Sequence, residues 1–307
     1  MAHPGGQSRF LDPAVLAEIS RLDLRARQVV EGYVSGLHKS PRKGYSVEFA
    51  EHREYAPGDD IRHIDWKLWG RADRYYIKQY EEETNLRCHL LLDVSESMRF
   101  GTQALSKFEY GATAAAAIAF LLLKQRDAVG LRLFDDKLQG AVPVSSNWHS
   151  LQNILSMVEP MKPARKSDFA VPLRDFADAA GRRSLIAIFS DLFAPLETIE
   201  HGLKHLRHKR HEVALFHVLD ETELTFPFED NTRFVGLEQL PDLIAEPRSL
   251  RDGYLQVLRE FLEQVRRMCA SMRIDYMLLS TGDRLDKSLA GFLAARARVV
   301  RGSTRRR

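Results

Sequence analysis

Short apolar runs alternate with helical segments along most of this chain, and two of those runs end in carboxylates. Leu90 to Met98 reads LLLDVSESM, and Leu185 to Leu192 reads LIAIFSDL. An apolar run of four to eight residues bounded by turn signals reads as a fully buried strand. Buried strands that alternate with helices build a mostly parallel sheet with helices on both faces. In such doubly wound α/β folds, ligands bind beyond the carboxyl ends of the strands, where the strand order reverses. The two strand-end carboxylates, Asp93 and Asp191, should therefore share one functional rim.

The spacing predicts a strand over Arg87–Leu92 and a helix opened by the capping box Ser106-Lys107-Phe108-Glu109. That helix is apolar nearly all round and should be buried. Further strands are expected at Ala128–Phe134, Leu138–Val144, Ser184–Phe189, Glu212–Leu219 and Ile274–Leu279. Helices are expected at Trp148–Val158, Val171–Ala180, Pro195–Lys209, Arg251–Met272 and Arg284–Arg298. Before these, Asp12 with Pro13 opens a helix whose apolar face carries Val15, Ile19, Leu22, Ala26, Val29, Tyr33 and Leu37. This gives a frayed terminus and amphipathic helix over 1–38, an irregular segment rich in Arg, Asp and Trp over 39–85, an α/β domain over 86–300 and a basic tail over 301–307. Within the second region, Tyr75–Thr84 has the composition of a strand.

Composition narrows the function. The 307 residues are 44% hydrophobic and carry a formal charge of +3, so no particular partner follows from charge alone. The two cysteines form no C-x-x-C pair, which fits a reducing compartment. The longest apolar stretch, Ala114–Leu123, is too short to span a bilayer. A soluble, cytoplasmic protein is the expectation. The chain has no P-loop, G-x-G-x-x-G, H-E-x-x-H or G-x-S-x-G motif. A non-enzymatic role is therefore expected. A magnesium-dependent phosphatase using Asp93 is the alternative, although such enzymes usually place a second carboxylate two residues on, where this chain has Ser95.

In an extended chain every second side chain points the same way, so Asp93, Ser95 and Ser97 would converge. All are hard oxygen donors, suited to Mg²⁺, Mn²⁺ or Ca²⁺. Ser167-Asp168 and Ser190-Asp191 offer further oxygens on the same rim. Asp and Ser are also common in turns after strands, but three such loops on one rim favour convergence.

Asp93-x-Ser95-x-Ser97 after an apolar strand, with a hydroxyl-plus-Asp loop and an Asp after a later strand, resembles the metal-ion-dependent adhesion site (MIDAS) of von Willebrand factor type A domains. The resemblance implies metal contact through Ser95, Ser97 and a second-loop hydroxyl, with Asp93 and Asp191 acting directly or through water. Ser167 stands where these domains usually carry threonine, and Asp168 is the other candidate for that position. An open coordination position would take a carboxylate from an acidic client.

The segment His52–Arg71, HREYAPGDDIRHIDWKLWGR, is the most specific in the chain. Pro57-Gly58 suits a type II turn, and Asp59, Asp60 and Asp65 lie among Arg53, Arg62, His63 and Arg71. It reads either as an ion-paired loop pinned by tryptophan or as a docking surface built from Arg53, Tyr55, Asp59, Asp60, Arg62, Asp65, Trp66 and Arg71. Together with Gly44–Phe49 before it and DVSESM after it, it closely resembles the domain of unknown function (DUF) family 58, over about Phe10–Arg298. Members of that family are often encoded beside MoxR-type AAA+ ATPases. The resemblance implies an adaptor or chaperone partner of such an ATPase, acting in the assembly or maturation of other complexes.

Two further features read as solvated surface. His201, His205 and His208 share one helix face opposite Leu196, Ile199, Leu203 and Leu206. The arginines at 296, 298, 301 and 305–307 form a basic terminus, with nucleic-acid or membrane-surface contact as the alternative.

Overall fold

The computed structural model describes residues 47–54, 75–82, 86–166, 168–230, 232–237, 241–285 and 287–289. Two compact units result, one over Tyr33–Asn85 and the other containing Leu86–Arg307. The expected N-terminal helix, most of the last helix and the basic tail lie outside the described residues.

In the first unit, β1 (Val47–Glu54) pairs antiparallel with β2 (Tyr76–Glu82). The second strand was expected; the first was not. Its register shifts between Phe49 and Glu51, and a bulge of this kind breaks the alternation by which a strand is recognised in sequence.

The second unit is a six-stranded sheet in the order β10-β7-β6-β3-β4-β5. The strands are β3 (Arg87–Asp93), β4 (Ala128–Phe134), β5 (Leu138–Ser145), β6 (Leu185–Ser190), β7 (Glu212–Leu219) and β10 (Asp275–Ser280). All neighbours are parallel except β4 and β5, which are antiparallel. The architecture is thus the expected doubly wound α/β fold. The chain runs outward from β3 through β4 to β5, then crosses back to β6 on the other side of β3. The strand order reverses between β3 and β6, the position at which folds of this class bind ligands.

Successive residues of β3 serve opposite faces. Leu91 joins a cluster with Ile186 and Ile188 of β6, Val213 and Leu215 of β7, and apolar residues of α3 (Ala170–Ala179), α4 (Leu196–His208) and α6 (Pro247–Ser271). Leu92 faces α1 (Lys107–Lys124), where a methyl group added at Gly111 would rest against Leu92, Val218 and Met98. Helix α1 is buried around most of its circumference, including Ala114 to Ala117, and its capping box forms as expected. Helix α2 (His149–Val158) packs on α1.

Besides β1, the short α5 (Glu221–Thr225) and the antiparallel pair β8 (Thr232–Phe234) and β9 (Leu243–Ala245) had not been anticipated. They are too short to show a period. Helix α6 begins a turn earlier than expected, with Pro247 at its first position. No helix among the described residues is long and apolar enough to cross a membrane.

Candidate functional site

The site sits at the β3/β6 reversal. Asp93, the last residue of β3, is wholly buried. Its Oδ1 accepts the Ser95 amide at 2.8 Å, and its Oδ2 accepts the Ser190 hydroxyl at 2.6 Å. The first bond is an Asx turn, which offers the backbone an alternative to continuing the strand. The chain does not remain extended past Ser95, as the sequence had suggested. It enters a single 3₁₀ turn, Glu96–Arg99, with the Met98 amide bonded to the Ser95 carbonyl at 3.2 Å. The turn, rather than strand alternation, brings the Ser95 and Ser97 hydroxyls together, 3.1 Å apart and sharing a hydrogen bond. Both serines are buried. A bridge between Ser95 and Arg165, with the Glu96 amide on the Arg165 carbonyl at 2.7 Å, pins this turn to the loop before α3.

The β6 loop supplies the opposite wall. Ser190 donates to Asp93 and accepts the Leu192 amide at 3.0 Å. Leu192 takes a left-handed conformation, φ 54°, which turns the chain sharply after Asp191. The nearby Ser97 hydroxyl favours the charged form of the Asp191 carboxylate. The Asp191 carbonyl accepts Nε2–H of the buried His217 at 3.0 Å, while His217 Nδ1 faces the Tyr276 hydroxyl at 2.9 Å. Burial lowers the His217 pKa to about 4, so the ring is neutral and these bonds define its tautomer.

The residue that sequence reasoning missed is Lys107. Read only as part of a capping box, its side chain is buried beneath the site, with Nζ 2.8 Å from Asp191 Oδ2 and 2.8 Å from Glu223 Oε1. A lysine opening an otherwise apolar buried helix was the available signal. Glu223 belongs to α5, which the sequence did not reveal.

These contacts split the two rim carboxylates. Burial raises the pKa of Asp191, but the Lys107 ammonium overrides it and holds the group below the usual carboxylate range. Burial, reinforced by the charge on Asp191, pushes Asp93 up to about 7. Asp93 has no cationic partner among the described residues. Burial opposes the charge on Lys107, but Asp191 and Glu223 keep it ionised well above the usual lysine range.

Asp168 opens the helix that follows it. Its Oδ1 accepts the Ala170 and Val171 amides at 2.9 and 3.3 Å, capping α3, and its own amide donates to the Asp135 carbonyl at 3.2 Å. No hydrogen bond joins its side chain to Asp93, Ser95, Ser97 or Asp191 among the described residues. Ser167 lies outside the described residues. So do Tyr55, Asp59, Asp60, Arg62, Asp65, Trp66 and Arg71; Arg53 falls in β1. His201 and His208 are exposed, and His205 approaches Asp178 at 3.3 Å, in keeping with a solvated face.

Among the described residues no three His, Cys, Asp or Glu side chains are grouped to hold a metal ion. The rim instead groups two carboxylates with the hydroxyls of Ser95, Ser97 and Ser190. Two oxygens at right angles on Mg²⁺, with bonds of about 2.0–2.1 Å, stand about 2.9 Å apart. The 3.1 Å between the Ser95 and Ser97 hydroxyls matches that edge. The donor set fits a hard cation.

The profile of the family described as "Protein of unknown function DUF58" matches residues 51–261. The chain belongs to the DUF58 family. Among curated sequences, this DUF58 protein is 26% identical over 305 residues to the uncharacterized protein Rv1480 of Mycobacterium tuberculosis (strain ATCC 25618 / H37Rv), covering 97% of this chain and 95% of the relative. It has the same identity and coverage with the uncharacterized protein Mb1516 of Mycobacterium bovis (strain ATCC BAA-935 / AF2122/97). Among solved structures, it aligns with the conserved hypothetical protein BatB from Bacteroides thetaiotaomicron at 15% identity and TM-score 0.45, over 69% of this chain and 99% of the other. An aerotolerance-related membrane protein from Bacteroides fragilis NCTC 9343 aligns at 12% identity and TM-score 0.44, over 70% and 99%.

Proposed function

We propose that this DUF58 protein is a non-enzymatic interaction module whose MIDAS-like strand-end site binds Mg²⁺ or a similar divalent cation. In this reading it serves as adaptor or chaperone partner of a MoxR-type AAA+ ATPase and docks an acidic client. The observation that carries the reading is Asp93: a wholly buried carboxylate without a cationic partner among the described residues, set beside the Ser95–Ser97 hydroxyl pair at the switch point of the sheet. Ser95 and Ser97 would hold the ion directly, with Asp93 and Asp191 behind or beside them. A bound Mg²⁺ supplies an electrophilic coordination position for a partner carboxylate.

The chain's own contribution is preorganisation. Ser190 and the Ser95 amide fix both oxygens of Asp93, and His217 with Lys107 fixes Asp191. Phe193, in the same loop and 52% exposed, offers apolar contact next to the polar rim. Bonds to both Asp93 oxygens, together with complete burial, argue against an attacking nucleophile and hence against the phosphatase alternative.

The test is a pull-down of a MoxR-type ATPase from the same source by the full chain, with Mg²⁺ or with chelator. Retention should require Mg²⁺ and be lost in Asp93→Ala. Retention that is equal with and without chelator would contradict a metal-dependent contact.

A further inference from the structure

We infer that Lys107 is a resident cation that holds the divalent-metal affinity of the rim low, by occupying Asp191 with a positive charge already inside the fold. This deepens the metal-site reading above and rests on it.

Lys107 follows the N-cap of α1 directly, so its backbone is fixed by the capping box. Its side chain is 3% exposed and reaches Asp191 Oδ2 and Glu223 Oε1, each at 2.8 Å. The ammonium also lies 5.8 Å from the centre of the Phe100 ring. Stability alone is a poor reason for this arrangement, because a buried ion pair roughly balances its desolvation cost. Position supplies a better one. Asp191 links the ammonium to the rim: its Oδ2 accepts Lys107 Nζ, and the Ser97 hydroxyl also favours its charged form.

A divalent ion at Ser95 and Ser97 therefore meets a carboxylate whose charge is already partly neutralised, and a like charge close behind it. Both effects weaken binding in a buried site, where Coulomb interactions are only partly screened. Asp191 and Glu223 share the one ammonium, and Asp93 has no cationic partner among the described residues, so the cluster keeps a carboxyl group for a cation to ionise. Glu223 acts as the counterweight. By sharing the ammonium, it limits how much of that charge falls on Asp191. Removing Lys107 and removing Glu223 should thus change metal affinity in opposite directions. An ion pair too remote from the metal to bear on it would leave the affinity unchanged in both variants.

The experiment is calorimetric titration of Mn²⁺ into the wild-type chain, Lys107→Met and Glu223→Gln at one pH, with near-ultraviolet circular dichroism to check each fold. Lys107→Met should bind at least tenfold more tightly and Glu223→Gln at least threefold more weakly. Equal or weaker binding by folded Lys107→Met overturns the inference. If Lys107→Met does not fold, Glu223→Gln decides, and unchanged or tighter binding overturns it. Binding by the wild type with no change in either variant removes this inference alone. No binding by any of the three chains removes the metal reading and the inference with it.

Discussion

Ser190 Oγ lies 2.6 Å from Asp93 Oδ2, joining the ends of two strands that are 97 residues apart in sequence. The bond spans the reversal in strand order and fixes the distance between the two rim loops. Ser190→Ala would leave a fully buried carboxylate oxygen without its donor and the Leu192 amide without its acceptor. The expected loss is about 1.5–3 kcal/mol, read from urea unfolding in chelator. A change within about 0.5 kcal/mol, the ordinary surface range, would show that the bond does not tie the loops.

Asp127 caps the opposite end of the sheet, where its Oδ1 accepts the Leu86 amide at 2.9 Å. Burial raises its pKa from 3.8 to about 7. The folded state therefore binds the proton more tightly than the unfolded one. This group's contribution is fullest below pH 3.8 and is lost as pH rises through about 7. Asp127→Asn keeps an acceptor for Leu86 and removes the titration. It should be more stable than wild type at pH 8 by about 1–3 kcal/mol, with a flatter slope across that window. Parallel stability curves for the two chains would refute this.

Asp220 shows the reverse sign. Burial raises its pKa, but donors from Thr102 and Thr222 outweigh it and lower the value from 3.8 to about 2. The hydroxyls of Thr102, Thr222 and Thr281 lie 2.6, 2.7 and 2.9 Å from its oxygens. Its contribution is present above pH 3.8 and is lost as pH falls through about 2. Asp220→Ala should cost about 2–4 kcal/mol at neutral pH. The gap to wild type should narrow on acidification, as followed by chemical denaturation. A gap that widens towards low pH would contradict the assignment.

Gly130 marks where β4 and β5 approach too closely for a side chain. A Cβ there would stand 2.6 Å from the Val142 carbonyl oxygen and 2.8 Å from the Val144 amide nitrogen. Both are backbone atoms of β5, where the register shifts against β4, so relief requires the strands to separate. Gly130→Ala should lower stability by about 1–3 kcal/mol; thermal melting equal to wild type would show that β5 yields freely.

The elements legible in sequence were those with strong burial or caps. Ala128–Phe134 and Glu212–Leu219 match their expected limits, because each is an apolar run ended by a polar residue. Asp93, Ser95, Ser97 and Asp191 do gather on one rim, since strand ends in a parallel sheet share an edge. The manner of gathering was not legible. An Asx turn and a 3₁₀ turn of four residues leave no period to read. Lys107 was hidden for another reason. Its partners lie 84 and 116 residues away, and only the fold brings them to it.

Whether Asp93, Ser95 and Ser97 hold a divalent cation is read from calorimetric titration of Mg²⁺ and Mn²⁺ into the wild-type chain and Asp93→Ala. The wild type should bind saturably, and the folded variant should not bind. Equal binding by both chains would contradict a metal site at these residues.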